Sequence, residues 1–233
     1  MRHRIPSDPA ISRTGLSIAV IVVHMLGLGL TLGVAFPLTS LTLEAWGSSS
    51  TVVGLSGAVS PLAILLVVPA LPRVVGRLGA IRSMVLGCVV ALLAIAWMYL
   101  VQTAAAWIAG RFVIGAGLAL PWLVGDIWVN SVASDSNRGK VILAYVVSLF
   151  VGFAVGPLLL DAVGIEGWPP HALTVGALAV AVFPLVVFRG IAPVIEVAHD
   201  SRLRTTIRKA PRVAVGAFAS GFTEGIAFSL TPI

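Results

Sequence analysis

Charge is what this sequence has least of. Only 10% of its 233 residues are Asp, Glu, Lys or Arg, against about 25% in a soluble domain. With 58% hydrophobic residues and a mean hydropathy of +1.06, too few polar groups remain to coat a globule in water. Cysteine is nearly missing: Cys88 stands alone, which excludes an internal disulfide. Metal and nucleotide signatures are missing too. There is no HExxH, no CxxC, no GxxxxGK followed by Ser or Thr, and no complete GxGxxG. The four histidines, His3, His24, His171 and His199, are dispersed without ligand spacing. These gaps argue against a metal centre, a cofactor, ATP hydrolysis and an intramembrane protease, and no nucleophile–base pair marks an enzyme. What the sequence does have is 24 Gly and 14 Pro, both tolerated in membrane helices. The class that survives is an all-α polytopic membrane bundle.

Runs free of Asp, Glu, Lys and Arg cover 14–43, 45–72, 83–110, 141–160 and 167–188. Each reaches the roughly 20 residues that cross about 30 Å of hydrocarbon. Two further stretches are apolar apart from Arg111 and Asp126 in one, and Glu224 in the other. The reading is seven spans, at 16–40, 51–70, 82–101, 105–131, 141–161, 171–188 and 213–233. The runs are continuous and lack the alternation of barrel strands. The first is too long for a cleaved signal peptide, and no small-x-small site follows it.

Of the 15 basic residues, 14 fall at the N-terminus and in or beside loops 2–3, 4–5 and 6–7; loops 1–2, 3–4 and 5–6 carry Glu44, Asp161 and Glu166 instead. The positive-inside rule then places the N-terminus and the basic loops in the cytoplasm, in a bacterial-type plasma membrane. The basic balance is thereby accounted for by topology, and nucleic acid is not an expected partner.

Residues 29–39, GLTLGVAFPLT, are echoed by 221–231, GFTEGIAFSLT, with seven identities in eleven positions. The spacing reads as a parallel repeat of about six helices, an organisation that puts a transporter's substrate site between its halves. The expected domains are a six-helix bundle over 1–188, a cytoplasmic connector over 189–212, and the first helix of an incomplete second bundle over 213–233. On this reading the chain is truncated from twelve spans.

Several residues stand out chemically. Arg111 lies about seven residues into span four, roughly 10 Å deep, where an unpartnered arginine costs at least about 2.5–3.5 kcal/mol. It serves either a central cavity and proton coupling, or a structural role by snorkelling or bonding to backbone carbonyls. Glu224, whose repeat counterpart is Leu32, is a carboxylate at mid-span that can take up and release a proton. His24 can relay a proton or simply pack with a hydrogen bond. Asp126, about 22 Å further along the helix than Arg111, is within reach of Arg77 or Arg138 as a gate-locking or structural ion pair. Gly29/Gly33 and Gly152/Gly156 are small-xxx-small faces, which mark close helix crossings, and Pro157 adds a bend. Cys88 reads as an inert buried thiol.

Four segments together resemble the major facilitator superfamily, over nearly the whole chain. Arg111-Phe-Val-Ile-Gly115-Ala-Gly117-Leu-Ala119 is similar to its RxxxGxGxA pattern. Gly152-Phe-Ala-Val-Gly156-Pro157 resembles the start of GxxxGPxxGG, associated with antiporters. Gly76-Arg77-Leu78-Gly79-Ala80-Ile81-Arg82 resembles a degenerate DRxGRR loop. Asp126-Ile-Trp128-Val-Asn130 followed by Arg138-Gly139-Lys140 resembles the acidic helix end and RGR loop. The resemblance implies a secondary transporter of a small molecule, coupled to protons and working by alternating access, with efflux suggested by the antiporter-like segment. Arg111, Glu224 and His24 would serve substrate or proton; Arg77, Gly79, Arg82, Asp126 and Arg138 would form the inner gate; Gly152, Gly156 and Pro157 would belong to the moving crossing. The rival expectation is a non-transporting membrane protein or subunit whose cavity needs another chain. Substrate and oligomeric state are not legible.

Overall fold

A computed structural model describes residues 9–192, with side chains from Arg13 onward. The expected seventh span, most of the connector, the echo at 221–231 and Glu224 lie outside the described residues. Within them are six segments long and apolar enough to cross a membrane. Helix α1 runs Pro9–Ala45, α2 Ser50–Val67, α3 Leu71–Leu78, α4 Ala80–Leu100, α5 Ala104–Val132, α6 Arg138–Val163 and α7 Pro169–Val187. No strand occurs among the described residues.

Local chemistry sets the boundaries. Ser49 caps α2 by accepting from the Val52 N–H at 3.4 Å, and Thr103 caps α5 by accepting from Ala106 at 3.3 Å. Pro169 and Pro170 open α7, where a missing N–H has no intrahelical partner to lose. Gly79 has φ 79°, and its left-handed conformation ends α3 and turns the chain into α4.

Span two corrects the expectation. It does not stop at residue 70. Pro69 and Pro72 remove two backbone donors, so the ladder tightens into a 3-10 turn at Val68–Ala70. The helix then resumes, and the segment reaches Leu78. The expected loop 2–3 is therefore mostly helix, and Gly79 alone separates α3 from α4.

Short connections make successive spans antiparallel. One end of the bundle carries Arg13, Arg73, Arg77, Arg82, Arg138, Lys140 and Arg189; the other carries Glu44, Asp161 and Glu166 with no Lys or Arg. Helix α1 is central: 67% of its apolar window is inside the bundle, against 17% for the α2–α3 segment. It packs on α5, α6 and α7, while α4 packs on α5 and α7. Ile21, Met25, Met84, Cys88, Ile114 and Leu185 are enclosed in the core. Leu62, Leu65 and Leu66 of α2, and Leu143 and Leu158 of α6, point outward.

Helix crossings are built from glycines facing backbone carbonyls four residues before a proline. Pro157 cannot bond the Phe153 carbonyl; Pro37 likewise leaves Gly33, and Pro121 leaves Gly117. A Cβ on Gly33 would strike Phe153 O, one on Gly156 would meet Gly33 O at 2.8 Å, and one on Gly87 would collide with Gly117 O. Only a residue without a Cβ lets the backbones approach this closely. In lipid no hydrophobic force drives helices together, so such close approach carries the association. The small-xxx-small faces read from the sequence thus pack α1 on α6.

Candidate functional site

Helix α5 carries two charged side chains, Arg111 and Asp126. Arg111, seven residues from its N-terminal end, is 5% exposed. Its Nη1 donates to the Phe36 carbonyl at 3.3 Å and, at the outer limit, to Ser40 Oγ at 3.5 Å. Its guanidinium lies 4.4 Å from the centroid of the Phe36 ring, a cation–π contact, and that ring meets Phe153 of α6 edge-on. Ser60 of α2 donates to the Arg111 backbone carbonyl at 3.0 Å. Nε is enclosed with no partner. The bonds to a backbone carbonyl and a serine fold the guanidinium against α1.

His24 is fully buried. Its Nδ1 donates to the Ala181 carbonyl of α7 at 2.8 Å in the assigned tautomer. Its Nε2 is enclosed without a hydrogen-bond partner among the described residues. Twelve residues of α1, about 18 Å, separate His24 from Phe36, so the fold does not bring His24 and Arg111 together.

Asp126 is half-buried near the basic end of α5. Its expected ion pair with Arg77 or Arg138 is absent among the described residues. Both arginines are exposed, as is Arg82. The partner of Asp126 is instead Tyr145 of α6, whose OH donates to Oδ1 at 2.8 Å. Gly125 makes room: a Cβ there would stand 2.8 Å from the Tyr145 oxygen. Arg77 and Arg138 lie on the exposed surface, whereas Tyr145 is turned into the bundle from α6. Tyr145 was missed in the sequence, although it is one of two tyrosines and interrupts an apolar run. Tyr145→Phe is expected to lower stability by about 1 kcal/mol, read as a fall in the thermal unfolding midpoint in detergent, while Asp126→Asn keeps an acceptor and loses less.

Two further clusters were not legible. At the acidic end, Trp107 Nε1 donates to the Met98 carbonyl at 2.8 Å, and its ring meets Trp46 and His171 edge-on at 5.2 and 5.6 Å. At the basic end, buried Trp128 donates to Ser17 Oγ at 2.8 Å. Tryptophan near the end of a span commonly anchors at the lipid–water interface; these two are inside. Gly152 and Gly156 are buried at the α1 crossing and Pro157 is half-buried, while Gly79 is exposed at the α3–α4 turn. No group of three or more potential metal ligands occurs among the described residues.

Comparison with known proteins agrees with this architecture. The chain is 28% identical over 163 residues to proteins described as "Uncharacterized MFS-type transporter YcaD" from Escherichia coli O9:H4 (strain HS), Escherichia coli (strain K12 / DH10B) and Escherichia coli O157:H7 (strain EC4115 / EHEC). Each match takes in 69% of this chain and 42% of the relative, so the chain spans less than half the length of these relatives. The family model of the Major Facilitator Superfamily matches residues 17–233. That match, together with the six membrane-capable helices of the described residues, makes this chain a member of the Major Facilitator Superfamily.

Proposed function

We propose that the chain works in secondary active transport of a small molecule across a lipid bilayer, by alternating access, with a proton gradient as the driving force and export as the direction. The observation that carries this reading is Arg111. A guanidinium at membrane depth is expensive and is characteristic of substrate or ion pathways, and here it sits in a helix at the heart of the bundle. In this reading residues 1–188 are one bundle, 189–212 the connector and 213–233 the start of a second, with substrate bound between them. Arg111, Glu224 and His24 serve substrate or proton. Arg77, Gly79, Arg82, Asp126 and Arg138 form the gate at the basic end, which faces the cytoplasm of a bacterial inner membrane together with the N-terminus. Gly152, Gly156 and Pro157 keep α1 and α6 moving as one body.

Everted membrane vesicles with a pH-sensitive dye test it. A panel of metabolites and drugs is added after acidification, and a transported solute dissipates the gradient. Glu224→Gln is expected to reduce that response at least about tenfold, the effect of losing roughly 1.4 kcal/mol at the coupling step. A wild-type response in this variant would remove Glu224 from coupling. A response seen only when a second chain is co-expressed would favour the subunit reading.

A further inference from the structure

We propose that Arg111 and Ser40 form a two-point binding site for a carboxylate. The inference rests on the transport reading for its biological meaning and names the substrate class that this site accepts.

The argument begins with charge. Among the described residues no carboxylate pairs with the Arg111 guanidinium, although the side chain is 5% exposed. Glu44, one turn beyond Ser40 on α1, is exposed and makes no ion pair with it. The groups that hold the guanidinium are all neutral: the Phe36 carbonyl, the Phe36 ring and the Ser40 hydroxyl. Such groups fix the position of a cation without cancelling its charge, and an uncompensated buried charge is costly. An anion completes the site.

Geometry says which atoms meet it. Nε is enclosed without a partner and Nη1 is used by α1. Nη2 makes no hydrogen bond among the described residues and is not enclosed, so it is the open corner of the fork. Ser40 Oγ accepts from Nη1, which leaves its own O–H free to donate, and Ser40 is partly exposed. One charged donor and one neutral donor therefore stand side by side. Two acceptor oxygens and a single negative charge match them, which is a carboxylate. A phosphate dianion would bring a second charge and a third oxygen for which this site offers no donor. Phe36 stacked on the guanidinium keeps the fork from rotating away and presents an apolar flank to the organic part of the ligand.

The carboxylate comes either from a solute or from the chain itself, and the experiment separates the two. The full chain is purified in detergent and titrated with benzoate, with uncharged benzamide, and with inorganic phosphate, while the unfolding midpoint is followed. Benzoate is expected to raise the midpoint saturably and benzamide to leave it alone. Arg111→Gln abolishes the rise, and Ser40→Ala weakens the apparent Kd about tenfold, as for one hydrogen bond to a charged group. If the benzoate effect appears only after Glu44→Gln or Glu224→Gln, a carboxylate of the chain occupies the same site, and the proposed chemistry holds. Absence of any benzoate effect in wild type and in both glutamate variants overturns the site, as does an equal response to phosphate or an unchanged Kd in Ser40→Ala. The Ser40→Ala arm decides the matter even if Arg111→Gln fails to fold. Because binding is read without flux, benzoate bound by a chain that moves no solute leaves the site standing and refutes only transport. Solute flux with no benzoate response in any variant refutes only the site.

Discussion

Gly156→Ala is expected to destabilise the bundle by about 1–3 kcal/mol, the range for forcing a methyl group into a packed interface, and Gly156→Val by more. The added Cβ would meet Gly33 of α1 at its Cα, 2.7 Å away, and at its carbonyl oxygen, 2.8 Å away. Both atoms are backbone, so no side chain can swing aside to relieve the contact. The crossing cannot simply open by a fraction of an ångström either. Gly152 lies one turn earlier on the same face, where a Cβ would strike the Leu26 carbonyl, and Gly29 faces the Leu149 carbonyl in the same way. Gly33 in turn faces the Phe153 carbonyl, so the contact is backbone on backbone from both sides. The measurement is the unfolding midpoint in detergent, with Gly176→Ala as control. Nothing lies within 4 Å of a Cβ at Gly176, so that change should be neutral or mildly stabilising through helix propensity. Equal behaviour of the two variants would refute this account of the crossing.

Trp107→Ala should cost about 3 kcal/mol or more, in the range for truncating a buried indole. Trp107 is 1% exposed and stands at the acidic end where α1, α4, α5 and α7 converge. Its removal leaves a cavity and takes away the edge contacts it makes with Trp46 and His171, the latter keeping its contact with Tyr99. It also leaves the Met98 carbonyl without the indole donor, near the end of α4, and a Cβ on neighbouring Gly110 would run into the Met98 side chain. Trp107→Phe restores most of the volume and none of the hydrogen bond, so it separates packing from bonding. Loss of the compact monodisperse species for the alanine variant, with partial recovery for phenylalanine, is the expected pattern in size-exclusion chromatography and thermal unfolding. A wild-type midpoint for Trp107→Ala would show that the acidic end is held by other contacts.

Much of the fold was legible because lipid imposes a one-dimensional constraint. A helix that crosses hydrocarbon must be about 20 apolar residues long, and that requirement is written in consecutive positions. The span at 105–131 was accordingly read to within a residue of α5, Ala104–Val132. The concentration of Arg and Lys at alternate connections likewise foretold the basic and acidic ends. Span two was misjudged because prolines at 69 and 72 and arginines at 73 and 77 look like a loop in sequence. On the folded chain they form a 3-10 turn and the amphipathic helix α3, with Leu71 and Val75 buried.

The site residues were legible as types and not as partners. Arg111 stood out because a charge is conspicuous in an apolar run. Nothing in the sequence indicated that Phe36 and Ser40, more than seventy positions earlier, would hold it. Asp126 was paired in expectation with exposed arginines because opposite charges attract; the bond goes to Tyr145, which a small residue at Gly125 lets approach.

The sequence by itself determined that this chain is an all-helical membrane bundle, where most of its helices begin and end, which end is basic, and which glycines would sit at crossings, because burial in lipid, caps and proline geometry act locally. Only the tertiary structure decided who touches whom: that α1 is the central helix, that backbone carbonyls meet glycines of other helices, and that Arg111 folds onto α1 while Asp126 bonds Tyr145. Those outcomes depend on the rotation and crossing angle of helices far apart in the chain, and a pattern of apolar residues that reads alike on every face does not specify them.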